Sequence, residues 1–192
     1  MSAPAYVVLL HHPVTNRDGA RITTSITNLD IHDIARSCRT YGIRGYYLVT
    51  PVQEQHGVAG RILTHWKSDA SRRYHPDRAE ALSRVHLAAD FDEVFRLVEA
   101  AHGEKPEVVL TEARPLYETL DYGDYRARLE APGRTRPMIL IFGTGWGVDP
   151  VFADKIDLVL KPLYGPEGPE GYNHLSVRAA AAIILDRLFG MR

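Results

Sequence analysis

Two glycine-punctuated loops, each beside an apolar segment, are the residues best suited to hold a ligand. One is Ile139-Leu140-Ile141-Phe142-Gly143-Thr144-Gly145-Trp146-Gly147. The other begins at Tyr164-Gly165-Pro166-Glu167-Gly168-Pro169-Glu170-Gly171. It passes through Tyr172-Asn173-His174-Leu175-Ser176 into Val177-Arg178 and four alanines, Ala179 to Ala182. Glycine lets a main chain come close to a bound molecule, because no Cβ stands in the way. Small residues at a helix start allow the same approach. The first loop is not Gly-x-Gly-x-x-Gly, since its third glycine comes too soon, and no Lys-Ser/Thr follows to make a phosphate loop. Together the two loops predict one pocket built largely from loop backbone.

A second group of polar residues lies near the start. Thr23-Thr24-Ser25-Ile26-Thr27-Asn28 leads into Asp30-Ile31-His32-Asp33-Ile34-Ala35-Arg36. The hydroxyl-rich segment suits a helix start, with Asn28 or Asp30 as the expected N-cap. Asp33 and Arg36 are spaced to pair on one helix face. His11, His12, His32 and Asp33 offer an alternative chemistry, a metal-dependent hydrolase, although their spacing fits no familiar ligand pattern. His174 is expected to line the pocket or cap the last helix. Lys67, Arg72, Arg73, His75 and Arg78, with Trp66 and Tyr74, could hold RNA through phosphate contacts and base stacking. A solvated surface loop accounts for that composition as well. The single cysteine, Cys38, excludes an internal disulfide and reads as buried filler.

Short apolar runs alternate with helical patterns. Strands are expected at 6–10, 44–49, 85–88, 107–111, 138–142 and 157–160. Helices are expected at 30–41, 52–66, 90–101, 122–129 and 175–189, with residues 68–76 as the least structured interior stretch. This alternation predicts an α/β fold with a mostly parallel sheet and helices on both faces. Ligands of such sheets bind at the carboxyl ends of strands, where both glycine loops fall.

The chain has 192 residues, 23 Lys+Arg and 24 Asp+Glu, for a net charge of −1. One domain spanning residues 1–192 is expected. The first ninety residues carry a small positive excess and the remainder a negative one, so an RNA partner would meet a local patch rather than a basic molecule. No apolar run reaches about 18 residues, so no membrane helix is expected. The start lacks the pattern of an export signal, and a cytoplasmic location is the expectation.

The run Asp30-Ile31-His32-Asp33-Ile34-Ala35-Arg36, then Tyr41-Gly42-Ile43 and a strand ending Val49-Thr50-Pro51, resembles the first motif of SpoU-type RNA methyltransferases, Asn-hydrophobic-Gly-x-Ile-Ala-Arg. Ile141 to Gly147 resembles their second motif. Asn173-His174-Leu175-Ser176-Val177 resembles their third, Leu-Asn-Val-Ser-Val-Ala. The chain as a whole is similar to a bacterial branch of the SPOUT (α/β-knot) superfamily. The resemblance implies a C-terminal trefoil knot, a homodimer, and methyl transfer from S-adenosylmethionine to RNA, either tRNA or rRNA, at a ribose 2′-oxygen or a base nitrogen, without metal. It places the cofactor near Thr111, Gly143, Thr144, Gly145, Leu160, Tyr164, Asn173, His174, Leu175 and Ser176, and makes Arg36 the catalytic residue. Arg72 and Arg73 are the expected RNA contacts. An inactive RNA- or nucleotide-binding protein of the same fold is the non-enzyme alternative. The chain departs from the pattern at Asp30, at His32 and at Arg178, which interrupts the small-residue run.

Overall fold

A computed structural model describes residues 3–115 and 118–192. The apolar runs become β1 (Ala5–Leu10), β4 (Gly45–Val49), β5 (Val85–Ala88), β6 (Glu107–Thr111), β7 (Met138–Gly143) and β8 (Leu158–Leu160). They form one sheet of order β5-β4-β1-β7-β6-β8, and every neighbouring pair is parallel. A short antiparallel ribbon, β2 (Val14–Thr15) with β3 (Arg21–Ile22), follows β1. The six-stranded α/β sheet matches the expectation from sequence, with strand ends displaced by a residue or so. The two-residue ribbon strands are too short to show a period.

Among the described residues, seven α-helices accompany the sheet: α1 (Asn28–Thr40), α2 (Gln53–Lys67), α3 (Asp69–Tyr74), α4 (Pro76–Ser83), α5 (Phe91–His102), α6 (Tyr122–Leu129) and α7 (Val177–Phe189). Successive side chains of a strand point to opposite faces, so each central strand feeds two cores. Val7 and Leu9 of β1, with Leu140 and Phe142 of β7, pack against Ile31 and Ile34 of α1 and Leu185 of α7. Val8, Leu10, Ile139 and Ile141 pack on the other face with Phe91 and Val94 of α5 and with Phe152. Burial on both faces explains why the strands read as continuous apolar runs rather than alternating ones. Among the described residues, no helix is long and apolar enough to cross a membrane.

Two local readings need correction. The N-cap of α1 is Thr27, not Asn28 or Asp30. Its Oγ1 accepts from the Asp30 N–H at 3.1 Å and donates to Asp30 Oδ2 at 2.6 Å. Asn28 and Asp30 are themselves helical, and the acid in the first turn suits the helix dipole. Residues 68–76, expected to be irregular, hold all of α3 and the start of α4. Ser68 caps α3 by accepting from the Ser71 N–H at 3.3 Å. Pro76 opens α4, where its missing N–H costs nothing. Asp90 caps α5 by accepting from the Glu93 N–H, and Gly103, at φ 68°, ends it in the left-handed conformation.

The topology sets the position of the site. The chain runs from β1 outward through β4 to β5, crosses to β6, then inserts β7 between β1 and β6. The β1–β7 boundary is thus the point where connections diverge, a place where α/β sheets open a crevice at the strand ends.

Candidate active site

A cavity of about 520 Å³ lies at the carboxyl ends of β1, β6 and β7. That size suits a nucleoside-sized ligand. It is lined by Thr24, Ser25 and Asp30 from the loop and helix after β1, and by Thr111 to Arg114 at the end of β6. Phe142 to Gly147 contribute from the β7 loop. Leu163, Asn173, His174, Leu175, Val177, Arg178, Ala180 and Ile184 come from the C-terminal segment.

The loops are tied to one another. Asn173 Nδ2 donates to the Ala113 carbonyl at 2.7 Å, joining the C-terminal loop to β6. Glu112 Oε1 accepts from the Val148 N–H at 2.9 Å, and Arg114 Nη2 donates to the Trp146 carbonyl at 2.5 Å, joining β6 to the β7 loop. On the other side, Trp146 N–H donates to the Thr15 carbonyl at 2.9 Å, and Thr15 N–H to the Gly147 carbonyl at 3.0 Å. Arg21 grips Asp149 at 2.7 Å, so the ribbon braces the end of the same loop. Gly145, at φ 61°, leaves only 2.8 Å between an added Cβ and the Thr15 carbonyl oxygen. The turn therefore requires glycine on two counts.

A line of hydroxyls fixes one histidine tautomer. Thr144 Oγ1 donates to the Leu10 carbonyl at 3.0 Å. Its remaining capacity accepts the Thr24 hydroxyl at 2.5 Å. With the Thr24 hydrogen committed, His11 Nδ1–H must donate to Thr24 Oγ1 across 3.0 Å. This order of donors puts a proton on His11 Nδ1. Burial holds its pKa down to about 4, partly offset by Asp30. Burial also raises the Glu112 carboxyl above the usual range, opposed by the Val148 N–H and Arg114.

Of the residues expected around a cofactor, Thr111, Gly143, Thr144, Gly145, Asn173, His174 and Leu175 line this cavity, and Leu160, Tyr164 and Ser176 do not. Leu160 is fully buried in the core at the end of β8. Ser176 caps α7, accepting from the Ala179 N–H at 3.2 Å. Tyr164 is half-buried away from the cavity wall. Thr111 spends its hydroxyl on the Ile141 carbonyl at 2.8 Å, so it supplies shape rather than a free donor.

Arg36 is exposed on α1 and does not line the cavity. Nor does it pair with Asp33, as the spacing suggested. Asp33 instead faces Arg178, whose Nε lies 3.6 Å from its Oδ2. Sequence reasoning missed Glu112, Arg114 and Leu163 as wall residues. A lone acid or leucine after a strand carries no pattern; Glu112 and Arg114 are brought to the cavity by β7 pairing beside β6.

His11, His12, His32 and Asp33 do not converge. His12 meets the Thr23 hydroxyl at 2.9 Å, and His32 packs edge-on against Trp66. Among the described residues, no group of three or more His, Cys, Asp or Glu side chains is placed to hold a metal. Arg72 and Arg73 are exposed on α3. Trp66 is partly enclosed, with Arg78 over its ring at 4.9 Å and His32, His65 and His75 around it. Tyr74 is the open aromatic there, at 80% exposure.

A family model described as SAM-dependent RNA methyltransferase matches residues 4–190. An uncharacterized protein of Aquifex aeolicus is 41% identical over 184 residues, covering 96% of this chain and 87% of that protein. A tRNA (guanine-N(1)-)-methyltransferase of Nitratidesulfovibrio vulgaris is 43% identical over 185 residues, covering 96% of this chain and 42% of its own length. The chain thus spans less than half of that relative. Among solved structures, the SpoU methyltransferase AviRb from Streptomyces viridochromogenes, in complex with the cofactor AdoMet, superposes with a TM-score of 0.56. It is 18% identical, over 98% of this chain and 58% of that one. The A. aeolicus TrmH/SpoU tRNA modifying enzyme gives a TM-score of 0.54 at 16% identity, over 97% of this chain and 73% of that one. The fold is that of SpoU methyltransferases, and with the family model covering nearly every residue the chain belongs to the family of SAM-dependent RNA methyltransferases.

Proposed function

We propose that the cavity binds S-adenosylmethionine and that residues around it direct methyl transfer to RNA. The observation that carries this reading is the three loop ends, after β6, after β7 and before α7, hydrogen-bonded around one cavity of about 520 Å³ in a chain of this family. The residues present fit the group. Phe142, Leu163, Ala180 and Ile184 give an apolar wall for a purine, the loop backbone gives donors and acceptors, and the Glu112 carboxylate suits a cationic ligand. The cofactor supplies a methyl carbon on a positively charged sulfur. Held by Phe142, Leu163, Ala180, Ile184 and the loop backbone, it would present that methyl group to a nucleophilic atom of the RNA. The protein's share is proximity and orientation, which can account for a large part of such a rate.

The names of the relatives favour tRNA as the RNA class. We read residues 1–192 as one cytoplasmic catalytic domain whose C-terminal segment forms the knot, working as a homodimer. The exposed apolar side chains Leu29, Leu175 and Ile183, on or beside the packed helices α1 and α7, support a paired surface there. In a dimer, the exposed Arg36 of one subunit would meet the cavity of the other, with Arg72 and Arg73 on the RNA-facing rim. Calorimetric titration tests the cofactor: binding of S-adenosylmethionine or S-adenosylhomocysteine with micromolar Kd, about −8 kcal/mol, is expected. No heat with either would overturn the reading.

A further inference from the structure

Asp30 and Arg178, two of the positions at which the chain departs from the SpoU pattern, meet at the cavity. Arg178 Nη1 donates to Asp30 Oδ1 at 2.9 Å, and its Nε lies 3.6 Å from Asp33 Oδ2. Both Asp30 and Arg178 line the cavity. The Asp30 carboxylate is buried and fixed on its other oxygen by the Thr27 hydroxyl at 2.6 Å. The arginine is thus aimed by an acid that is itself immobile.

Local physics opposes the place Arg178 occupies. It is the second residue of α7, at the positive end of the helix dipole, where a cation is disfavoured. Acids from α1 hold it there. Residues that violate a local rule at a well-supported position concentrate at functional sites. Among the described residues, the Nη1 bond to Asp30 is the only side-chain hydrogen bond Arg178 makes. Most of its N–H donors therefore lack a protein partner in a group that faces the cavity.

Strand order indicates what those donors face. β7 separates β1 from β6. On the reading above, which this inference rests on, the cofactor occupies the β6, β7 and C-terminal loops. Thr24, Ser25 and Asp30 arrive from the β1 side and form the remaining polar wall. We propose that Arg178 binds the RNA acceptor nucleotide, donating guanidinium N–H groups to one of its oxygens, and that Asp30 and Asp33 are positioning residues for that arginine. An arginine stays protonated and takes no proton from the acceptor. Its contribution is to hold the nucleotide in line for transfer.

The test uses the full chain and the variants Arg178→Ala, Arg178→Lys and Asp30→Asn. Each is titrated with S-adenosylmethionine and assayed for tritiated methyl transfer into total RNA from a strain lacking this gene. Arg178→Ala should bind the cofactor like wild type and lose transfer at saturating cofactor by on the order of a hundredfold. Added guanidinium should restore part of that loss. Arg178→Lys should not recover the activity, because an ammonium lacks the planar fork. Asp30→Asn keeps an oxygen for Arg178 and so keeps the fold. It should show a smaller loss, with a raised KM for RNA. Unchanged transfer in both Arg178→Ala and Asp30→Asn would overturn the proposal, and Asp30→Asn alone decides should Arg178→Ala misfold. Cofactor affinity falling in step with rate would overturn it too, assigning Arg178 to the cofactor carboxylate. A wild-type protein that binds no cofactor would instead remove the underlying reading.

Discussion

Replacing Gly143 by alanine tests how the β7 loop makes the site. A Cβ there would lie 2.8 Å from Val148 Cγ2, 3.1 Å from the Val148 nitrogen and 3.4 Å from the Gly147 carbonyl carbon. Favourable carbon contacts begin near about 3.5 Å, so the loop must move by several tenths of an ångström. Val148 has little room to yield. Its side chain is buried against the second core, its β-branched χ1 is stiff, and its N–H is held by Glu112 at 2.9 Å. Overpacking of this kind costs about 1–3 kcal/mol, and about 2–4 °C of Tm per kcal/mol in a chain of this size. The same displacement moves Thr144 to Gly147 at the cavity wall. Wild type should therefore gain about 2.7 kcal/mol in a melt at a hundredfold excess of cofactor over Kd, and Gly143→Ala should gain little. Gly57→Ala is the control. Nothing lies within 4 Å of its added Cβ, and Gly57 is inside α2. It should stabilise by about 0.5–1 kcal/mol and leave cofactor binding alone. A Gly143→Ala protein with wild-type melting and cofactor response would show that neither the Val148 contact nor the β7 loop position limits the site.

Further outcomes follow from other parts of the molecule. Arg36→Ala should change stability by less than about 0.5 kcal/mol in chemical denaturation, as expected for an exposed side chain away from structural features. It should retain cofactor affinity and lose methyl transfer by on the order of a hundredfold if it completes a partner's site; full transfer would remove the composite site. The His11 pKa is depressed from 6.5 to about 4, so the unfolded chain binds the proton first. The stability tied to the neutral imidazole is present above about pH 6.5 and falls as pH drops toward 4, by about 3 kcal/mol in all. His11→Gln should flatten that acid limb in urea titrations at stepped pH, and an unchanged limb would contradict the assignment. Cys38 is buried, and burial pushes its thiol well above the usual range. It should stay inert to a thiol reagent until the protein unfolds, and rapid native labelling would show that α1 opens.

The sheet is legible because both faces of its central strands are covered, leaving runs such as Val7 to Leu10 and Ile139 to Phe142 that are apolar throughout. The α5 boundaries are legible for a chemical reason: Asp90 can satisfy the first N–H groups, and Gly103 can turn left-handed. The α1 cap is harder. Thr27, Asn28 and Asp30 are all competent caps, and only the extended backbone at Thr27 selects among them. Residues 68–76 look polar and broken, yet Ser68 and Pro76 are start signals for two short helices rather than loop residues. Residues carried by one continuous segment are legible as cavity lining, as Gly143 to Gly145 and Asn173 to Leu175 are. Residues whose role depends on a partner far along the chain are not. Asp30 and Arg178 are separated by 148 positions, and Glu112 reaches Val148 across 36. No local pattern records such pairs.

Tritium transfer shows whether this chain uses S-adenosylmethionine at the β6–β7 cavity to methylate RNA. Purified protein is incubated with methyl-labelled cofactor and total RNA from a strain lacking the gene, beside the Gly143→Ala variant and RNA from the parent strain. Label should enter RNA of the deletion strain, enter already modified parental RNA little, and be strongly reduced with Gly143→Ala. Folded, cofactor-binding protein that places no label in RNA, or a Gly143→Ala variant that labels it as well as wild type, would contradict RNA methylation at this cavity.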